Sequence, residues 1–110
     1  MVKLVAQFRR PSDPEKLLAD VVGLVVPHCR QIPGVEKVEL ASTDDDVPEV
    51  LPVSGQRADR RGPPFLTAEI YFPDRTTFDD ALATPQAEAA LGELLDVANR
   101  DVHVFLADVK

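Results

Sequence analysis

The sequence predicts an α+β domain in which strands and helices follow the order β-α-β-β-α-β. Four segments show the two-residue alternation of apolar and polar side chains that is typical of strands. The segments between them show helical spacing, and both helical regions contain a capping residue followed by proline. The chain has 110 residues, which suits a single domain over 1–110.

The first strand is predicted at residues 2–9, because its side chains alternate between an apolar face and a mixed face. The apolar face carries Val2, Leu4, Ala6 and Phe8, and the mixed face carries Lys3, Val5, Gln7 and Arg9. Residues 10–14 contain two prolines, which end the strand.

The first helix follows this break. Asp13 or Ser12 can cap it, and Pro14 suits the first helical position. Apolar residues then recur at helical spacing. Pro27 is expected to kink or end the helix, and the Pro-Gly pair at 33–34 to end it.

Residues 35–43 are predicted as the second strand, with Val38 and Leu40 on one face. Residues 44–65 differ in character, since they open with three aspartates and hold four of the ten prolines. They are expected to form a long irregular connection, of the kind that is usually functional or disordered. A short hairpin at Val50–Val53 is a candidate within it.

The third strand is predicted at 66–72 and the fourth at 101–107, again from alternation. Between them, Thr76 or Thr77 is expected to cap the second helix. Thr84, followed by proline, restarts that helix.

This order of elements is the split β-α-β, ferredoxin-like pattern, in which both helices cover one face of an antiparallel sheet. The other face is both apolar and polar, carrying Val5, Gln7, Glu69, Tyr71, His103 and Phe105. Such a face is too apolar to be left in water, and it suits either a homodimer interface or a ligand cavity.

Composition restricts the partners. The net charge of −7 argues against nucleic acid and against an anionic membrane surface, since both need cationic side chains. No apolar run approaches a membrane span, and the N-terminus does not resemble a signal peptide. The single cysteine, Cys29, excludes an internal disulfide, so a cytoplasmic location is expected.

Three segments resemble the EthD family of the dimeric α/β-barrel superfamily. They are FRRP at 8–11, IPGV at 32–35 and FDDALATP at 78–85, and the last is the most specific. The resemblance covers most of the chain except 44–65. It implies a ferredoxin-like protomer whose sheet packs on a partner's sheet to form a barrel, with a small pocket between each sheet and its helices or loops.

The resemblance also implies chemistry, because relatives include proteins of ether degradation, lactone isomerases and polyketide tailoring enzymes. One position departs from the family. A histidine commonly stands two residues before the proline of the first helix, where this chain has Val25, and His28 follows that proline instead. Acid–base chemistry is therefore not carried over to this position.

The open face of the predicted sheet supplies the candidate site residues. His103 and Glu69 are the candidate catalytic pair, because an imidazole beside a carboxylate can transfer protons. Tyr71, Gln7 and Phe105 are the candidate substrate-binding residues. Each could instead serve only the packing of a dimer. The sequence has no dinucleotide-binding, phosphate-loop or metal-ligand motif, so no cofactor and no metal are expected.

Two functions are compatible with these patterns. The first is a small cofactor-independent EthD-like protein that binds or transforms a hydrophobic oxygenated molecule, such as a lactone or a polyketide-like ring. The alternative is a non-catalytic dimeric binding or accessory protein. A cofactor-free monooxygenase of the antibiotic-biosynthesis type has less support, since the chain has one tyrosine and no tryptophan.

Overall fold

The computed structural model describes residues 1–43 and 64–110, and it confirms the α+β class. The strands are β1 (Val2–Phe8), β2 (Lys37–Ser42), β3 (Leu66–Phe72) and β4 (Val102–Asp108). They form an antiparallel sheet in the order β2-β3-β1-β4, which is the expected ferredoxin-like topology. The hairpin expected at Val50–Val53 and most of the connection at 44–65 lie outside the described residues.

The first helical region consists of α1 (Pro14–Asp20), a π-helical segment (Val21–Val25) and α2 (Val26–Arg30). Asp13 caps it as expected, since its carboxylate accepts a hydrogen bond from the backbone N–H of Lys16 at 3.1 Å. The side chains that point at the sheet recur at helical spacing and are buried.

Pro27 neither ends this region nor leaves it regular. Proline has no backbone N–H and crowds the carbonyl four residues earlier, so the preceding turn widens into the π segment. Nδ1 of His28 donates a hydrogen bond to the carbonyl of Leu24 at 2.7 Å. The helix thus continues past the proline and ends at Arg30, just before Pro33 and Gly34.

The second helical region consists of α3 (Arg75–Leu82) and α4 (Pro85–Val97). The expectation that Thr76 or Thr77 caps α3 is wrong. Asp74 is the cap, and its carboxylate accepts from the N–H of Thr77 at 2.7 Å. Thr84 does cap α4, as expected, because its hydroxyl accepts from the N–H of Ala87 at 3.2 Å.

The core lies between the sheet and these helices. Its largest fully buried side chains are Phe8, Phe72, Leu66, Ile70, Leu94, Val21 and Val25. Phe72 of β3 meets Phe78 of α3 edge to face, with ring centroids 5.2 Å apart. This packing fixes the helices on one face, and among the described residues no helix covers the other face of the sheet.

We expect Thr84→Ala to lower the free energy of unfolding by about 1 kcal/mol, because an N–H at the start of α4 loses its acceptor. Thr84→Ser keeps the hydroxyl and should recover most of the loss. Chemical denaturation measures both. The matched control is Thr76→Ala, at an exposed position that caps no helix. An equal loss in Thr76→Ala would contradict the assignment of the caps.

Candidate functional site

The register of the strands arranges the open face of the sheet in rows that run across all four strands. One row joins Lys37, Tyr71, Lys3 and Ala107; the next joins Glu39, Glu69, Val5 and Phe105; the third joins Ala41, Thr67, Gln7 and His103. The charged side chains therefore lie on β2, on β3 and, through Lys3, at the start of β1, and the face is more apolar towards Val5 and Phe105. Val5 is only 5% exposed although none of the helices in residues 1–43 and 64–110 packs on this face.

A charged cluster, which we call the open-face cluster, occupies the first two rows and consists of Lys3, Lys37, Glu39, Glu69 and Tyr71. Lys3 pairs with Glu69 across the sheet, and Lys37 Nζ lies 3.0 Å from Glu39 Oε1. Each of the two carboxylates also lies 3.3 Å from the hydroxyl of Tyr71. Since a phenol has one proton, the two acceptors share it.

The lysines allow two carboxylates to stand directly opposite each other, an arrangement that is otherwise unfavourable. Their Nζ atoms also lie 5.8 Å (Lys3) and 4.5 Å (Lys37) from the centre of the Tyr71 ring. Two ammonium groups and two carboxylates cancel, so the cluster is neutral overall near neutral pH. Another protein surface can therefore cover this face without burying an unpaired net charge.

The contacts within the open-face cluster shift the pKa values of four of its side chains. The hydrogen bond from Lys37 lowers the pKa of Glu39, and the hydrogen bonds to Glu69 and Glu39 raise the pKa values of Lys3 and Lys37, respectively. Loss of solvent around the Tyr71 ring, followed by the charges of Glu69 and Glu39, raises the pKa of Tyr71. The phenol therefore stays protonated at neutral pH and acts as a donor.

The structure does not bring the candidate catalytic pair together. Glu69 lies on β3 and His103 on β4, and strand β1 runs between them. Two strand spacings separate their backbones by roughly 10 Å, and His103 stands one row further along the sheet. Glu69 bonds Lys3 and Tyr71, whereas the His103 ring packs against Phe105 with centroids 5.1 Å apart. Direct proton transfer between the two is excluded in this arrangement.

The candidate substrate-binding residues share the open face but occupy three different positions on it. Tyr71 is in the open-face cluster, with its hydroxyl already engaged. Gln7 lies beside His103 in the third row, and Phe105 lies beside Val5 in the second. Phe105 is 36% exposed, which is high for a large apolar side chain. Within the described part of the chain, these residues therefore lie side by side along the face of the sheet and do not converge on one point.

A pocket of about 280 Å³ lies elsewhere, at the edge of the helical layer. It is formed by the end of β1, the first turns of α1 and the turn that leads from α4 into β4. Its lining includes the core residues Phe8 and Leu17, the partly buried Val97 and Ala98 that pack against the core, and Pro11. We call this space the β1-end pocket. It contains none of the site residues that the sequence suggested.

Polar groups surround the mouth of the β1-end pocket. Arg9 Nε lies 3.6 Å from Asp101 Oδ1, and Lys16 Nζ lies 3.1 Å from Asp20 Oδ2. Asp13 caps α1 from the same rim. An apolar floor beneath a few polar groups is the usual composition of a small-molecule site.

An unusual turn places Asp101 at this rim. Asn99 and Arg100 both have positive φ angles, of 51° and 62°. Non-glycine residues seldom adopt this conformation, and two in succession are rarer still. The turn is closed by hydrogen bonds from the N–H of Arg100 to Leu95 and from the N–H of Asp101 to Ala98. It directs the chain from the end of α4 straight into β4 beside Arg9.

Sequence reasoning missed the β1-end pocket because its walls come from three separate stretches, at 8–13, 16–20 and 97–101. The one available signal was a set of charged residues close to the ends of predicted elements.

Across the described residues, no group of three or more potential metal ligands converges. Cys29 is buried at 2% exposure, and burial raises the pKa of its thiol to about 11.

Comparison with solved structures supports the fold. The chain is similar to an EthD family protein from Bacillus halodurans C-125, with a TM-score of 0.77 and 19% identity over 100% of this chain and 99% of that one. It is also similar to a cofactor-independent oxygenase from Streptomyces nogalater, with a TM-score of 0.66 and 15% identity over 99% and 92% of the two chains. A third is a dimeric ferredoxin-like protein of unknown function from Jannaschia sp. CCS1, with a TM-score of 0.59 and 13% identity over 98% of each chain.

These likenesses define the class: the protein has a ferredoxin-like α+β fold. Within that class its fold is EthD-like, as the sequence segments suggested. No protein-family model and no curated protein matches the chain. Within the described ranges, no helix has the length and apolar character needed to cross a bilayer.

We expect the phenol of Tyr71 to ionise above its ordinary pKa of 10.0, because the ring is desolvated and two carboxylates face it. Glu69→Gln should lower that pKa, since it removes one of those charges and frees the ammonium of Lys3. The ultraviolet absorbance of tyrosinate measures both, and the signal is clean because the chain has one tyrosine and no tryptophan. The control is Glu88→Gln on α4. An ordinary pKa in the unmodified protein would contradict the described cluster.

Proposed function

We propose that this chain is a cofactor-independent, EthD-like homodimer that binds a hydrophobic oxygenated small molecule, such as a lactone or a polyketide-like ring, in the β1-end pocket. The observation that carries the proposal is the pocket itself. Its volume of about 280 Å³ is close to the lower limit of small-molecule sites, which span roughly 300–1,000 Å³.

The lining of the pocket supports a ligand that is largely apolar but carries oxygen. Pro11, Val97 and Ala98 are partly exposed and offer apolar surface, with the buried side chains of Phe8 and Leu17 beneath them. The guanidinium of Arg9 offers N–H donors at the mouth, and a guanidinium has no acceptor. A ring with a carbonyl group matches both halves of the site.

The open face of the sheet supports the homodimer. It presents Val5, Phe105 and the Tyr71 ring beside a neutral set of ion pairs, and no helix of the described chain covers it. A second copy of the same face offers matching apolar and charged groups, as a twofold interface requires. The solved neighbour from Jannaschia is a dimeric protein of the same fold.

The proposal favours binding over catalysis by the expected pair. A proton relay between His103 and Glu69 needs them within hydrogen-bond reach, and β1 separates them. The non-catalytic binding or accessory role is therefore the form of the proposal that fits the geometry best. A cytoplasmic location belongs to the same proposal, and a buried, free thiol is compatible with it.

The homodimer is tested by placing a charge on each side of the protomer. Phe105→Lys, on the open face, should convert the dimer to a monomer, because it buries an unpaired ammonium at the interface. Leu95→Lys, on α4, is the matched control, since both side chains are 36% exposed. Sedimentation velocity at micromolar concentration measures the outcome. A monomeric unmodified protein, or a dimer that survives Phe105→Lys, would overturn this part of the proposal.

The ligand site is tested with coumarin, an aromatic lactone that fits the proposed chemistry. Ligand-observed NMR should detect its binding to the unmodified protein, and Ser12→Trp should abolish binding by filling the mouth of the pocket. Ser42→Trp, at an exposed serine of β2, is the matched control. His103→Ala should leave binding unchanged, because that ring lies on the open face. Binding that is lost in His103→Ala and kept in Ser12→Trp would move the site to the sheet.

A further inference from the structure

The charged groups around the β1-end pocket are already paired with one another. Arg9 faces Asp101, Lys16 faces Asp20, and the carboxylate of Asp13 accepts from the first turn of α1. The rim thus has two cationic and three anionic side chains, a net charge of −1. This arrangement has a consequence for the kind of oxygen group that the pocket can accept.

We propose that the ion pair between Arg9 and Asp101 makes the β1-end pocket selective for neutral carbonyl compounds over carboxylates, with Arg9 as the donor and Asp101 as the residue that determines specificity. The inference rests on the proposed function, since it names the ligand class of the same site.

The selectivity follows from the cost of removing charge from water. A carboxylate that enters the pocket loses hydration, and it recovers that loss only if a free cation receives it. Neither cation of the rim is free, because each lies within 4 Å of its own carboxylate: 3.6 Å for Arg9 and 3.1 Å for Lys16. An incoming anion would also meet the negative charges of Asp13 and Asp101.

A neutral carbonyl oxygen meets none of these penalties. Arg9 Nε and Asp101 Oδ1 are 3.6 Å apart, which makes an ion pair but is too long for a hydrogen bond, so the guanidinium keeps N–H donors that a ligand can use. A lactone, ester or ketone oxygen can accept from them without displacing Asp101. The aromatic or alicyclic part of the same molecule then lies against Pro11, Val97 and Ala98.

The turn through Asn99 and Arg100 supports a dedicated role for Asp101. Two successive residues with positive φ are costly, and such conformations persist where the fold holds them for a purpose. Here the turn fixes the backbone of Asp101 beside the end of β1, and the N–H of Asp101 is bonded to Ala98 at 3.0 Å. This backbone position lets the carboxylate pair with the guanidinium of Arg9 at 3.6 Å.

The experiment compares two probes with one carbon skeleton, methyl cinnamate and cinnamate, by NMR titration of the unmodified protein near neutral pH. The ester should bind about tenfold more tightly than the acid, a ratio that corresponds to about 1.4 kcal/mol. Cinnamylamine serves as a third probe. Tighter binding of the amine than of the ester would show that the negative charge of the rim alone determines which probe binds best. That result would overturn the proposal.

Asp101→Asn provides the decisive variant. It removes the carboxylate that holds Arg9 while keeping the size of the side chain, so the freed guanidinium can receive a carboxylate in a bidentate contact. The ratio of ester to acid affinity should fall from about tenfold to near one. Asp108→Asn, at the opposite end of β4, is the matched control and should keep the ratio of the unmodified protein.

The ligand site and its selectivity are overturned by different results. If neither cinnamate probe nor coumarin binds, the proposed function fails and this inference fails with it. If the ester and the acid bind the unmodified protein equally, or if the ratio is the same in Asp101→Asn, only the inference is overturned. Circular dichroism of each variant establishes that the fold is kept.

Discussion

The structure depends on the pairing of β1 with a strand on each side. β1 is hydrogen-bonded to β3 along one edge and to β4 along the other, which makes it a central strand. Leu4 and Ala6 belong to the helical core, while Val5 on the opposite face is also buried, at 5% exposure. A central strand that is buried on both faces, in a sheet with helices on only one, leaves an apolar strip that needs another cover.

The strands could be read from the sequence because a two-residue period survives wherever one face is buried. The third strand has the predicted bounds, and the other three differ by one or two residues at an end. The cap of α3 was harder to predict, since Asp74, Thr76 and Thr77 are all capping residue types within one turn. Asp74 caps the helix because it stands three residues before the N–H that needs an acceptor.

The site was less accessible to sequence reasoning than the fold. Alternation correctly placed Gln7, Glu69, Tyr71, His103 and Phe105 on one face, but it contains no information about lateral order. That order decides which groups meet: Glu69 meets Lys3 and Tyr71, whereas His103 meets Phe105. The β1-end pocket depends on a loop, a helix start and a left-handed turn, and their proximity is a property of the tertiary packing.

The lone thiol of the chain has a consequence of its own. Cys29 belongs to α2, and its side chain is buried in the core. Burial raises the pKa of its thiol to about 11 and keeps reagents away from it. Alkylation then proceeds only in molecules whose first helical region has lifted from the sheet. The rate at which maleimide labels Cys29 therefore measures how often this domain opens, and no cysteine has to be introduced for the measurement.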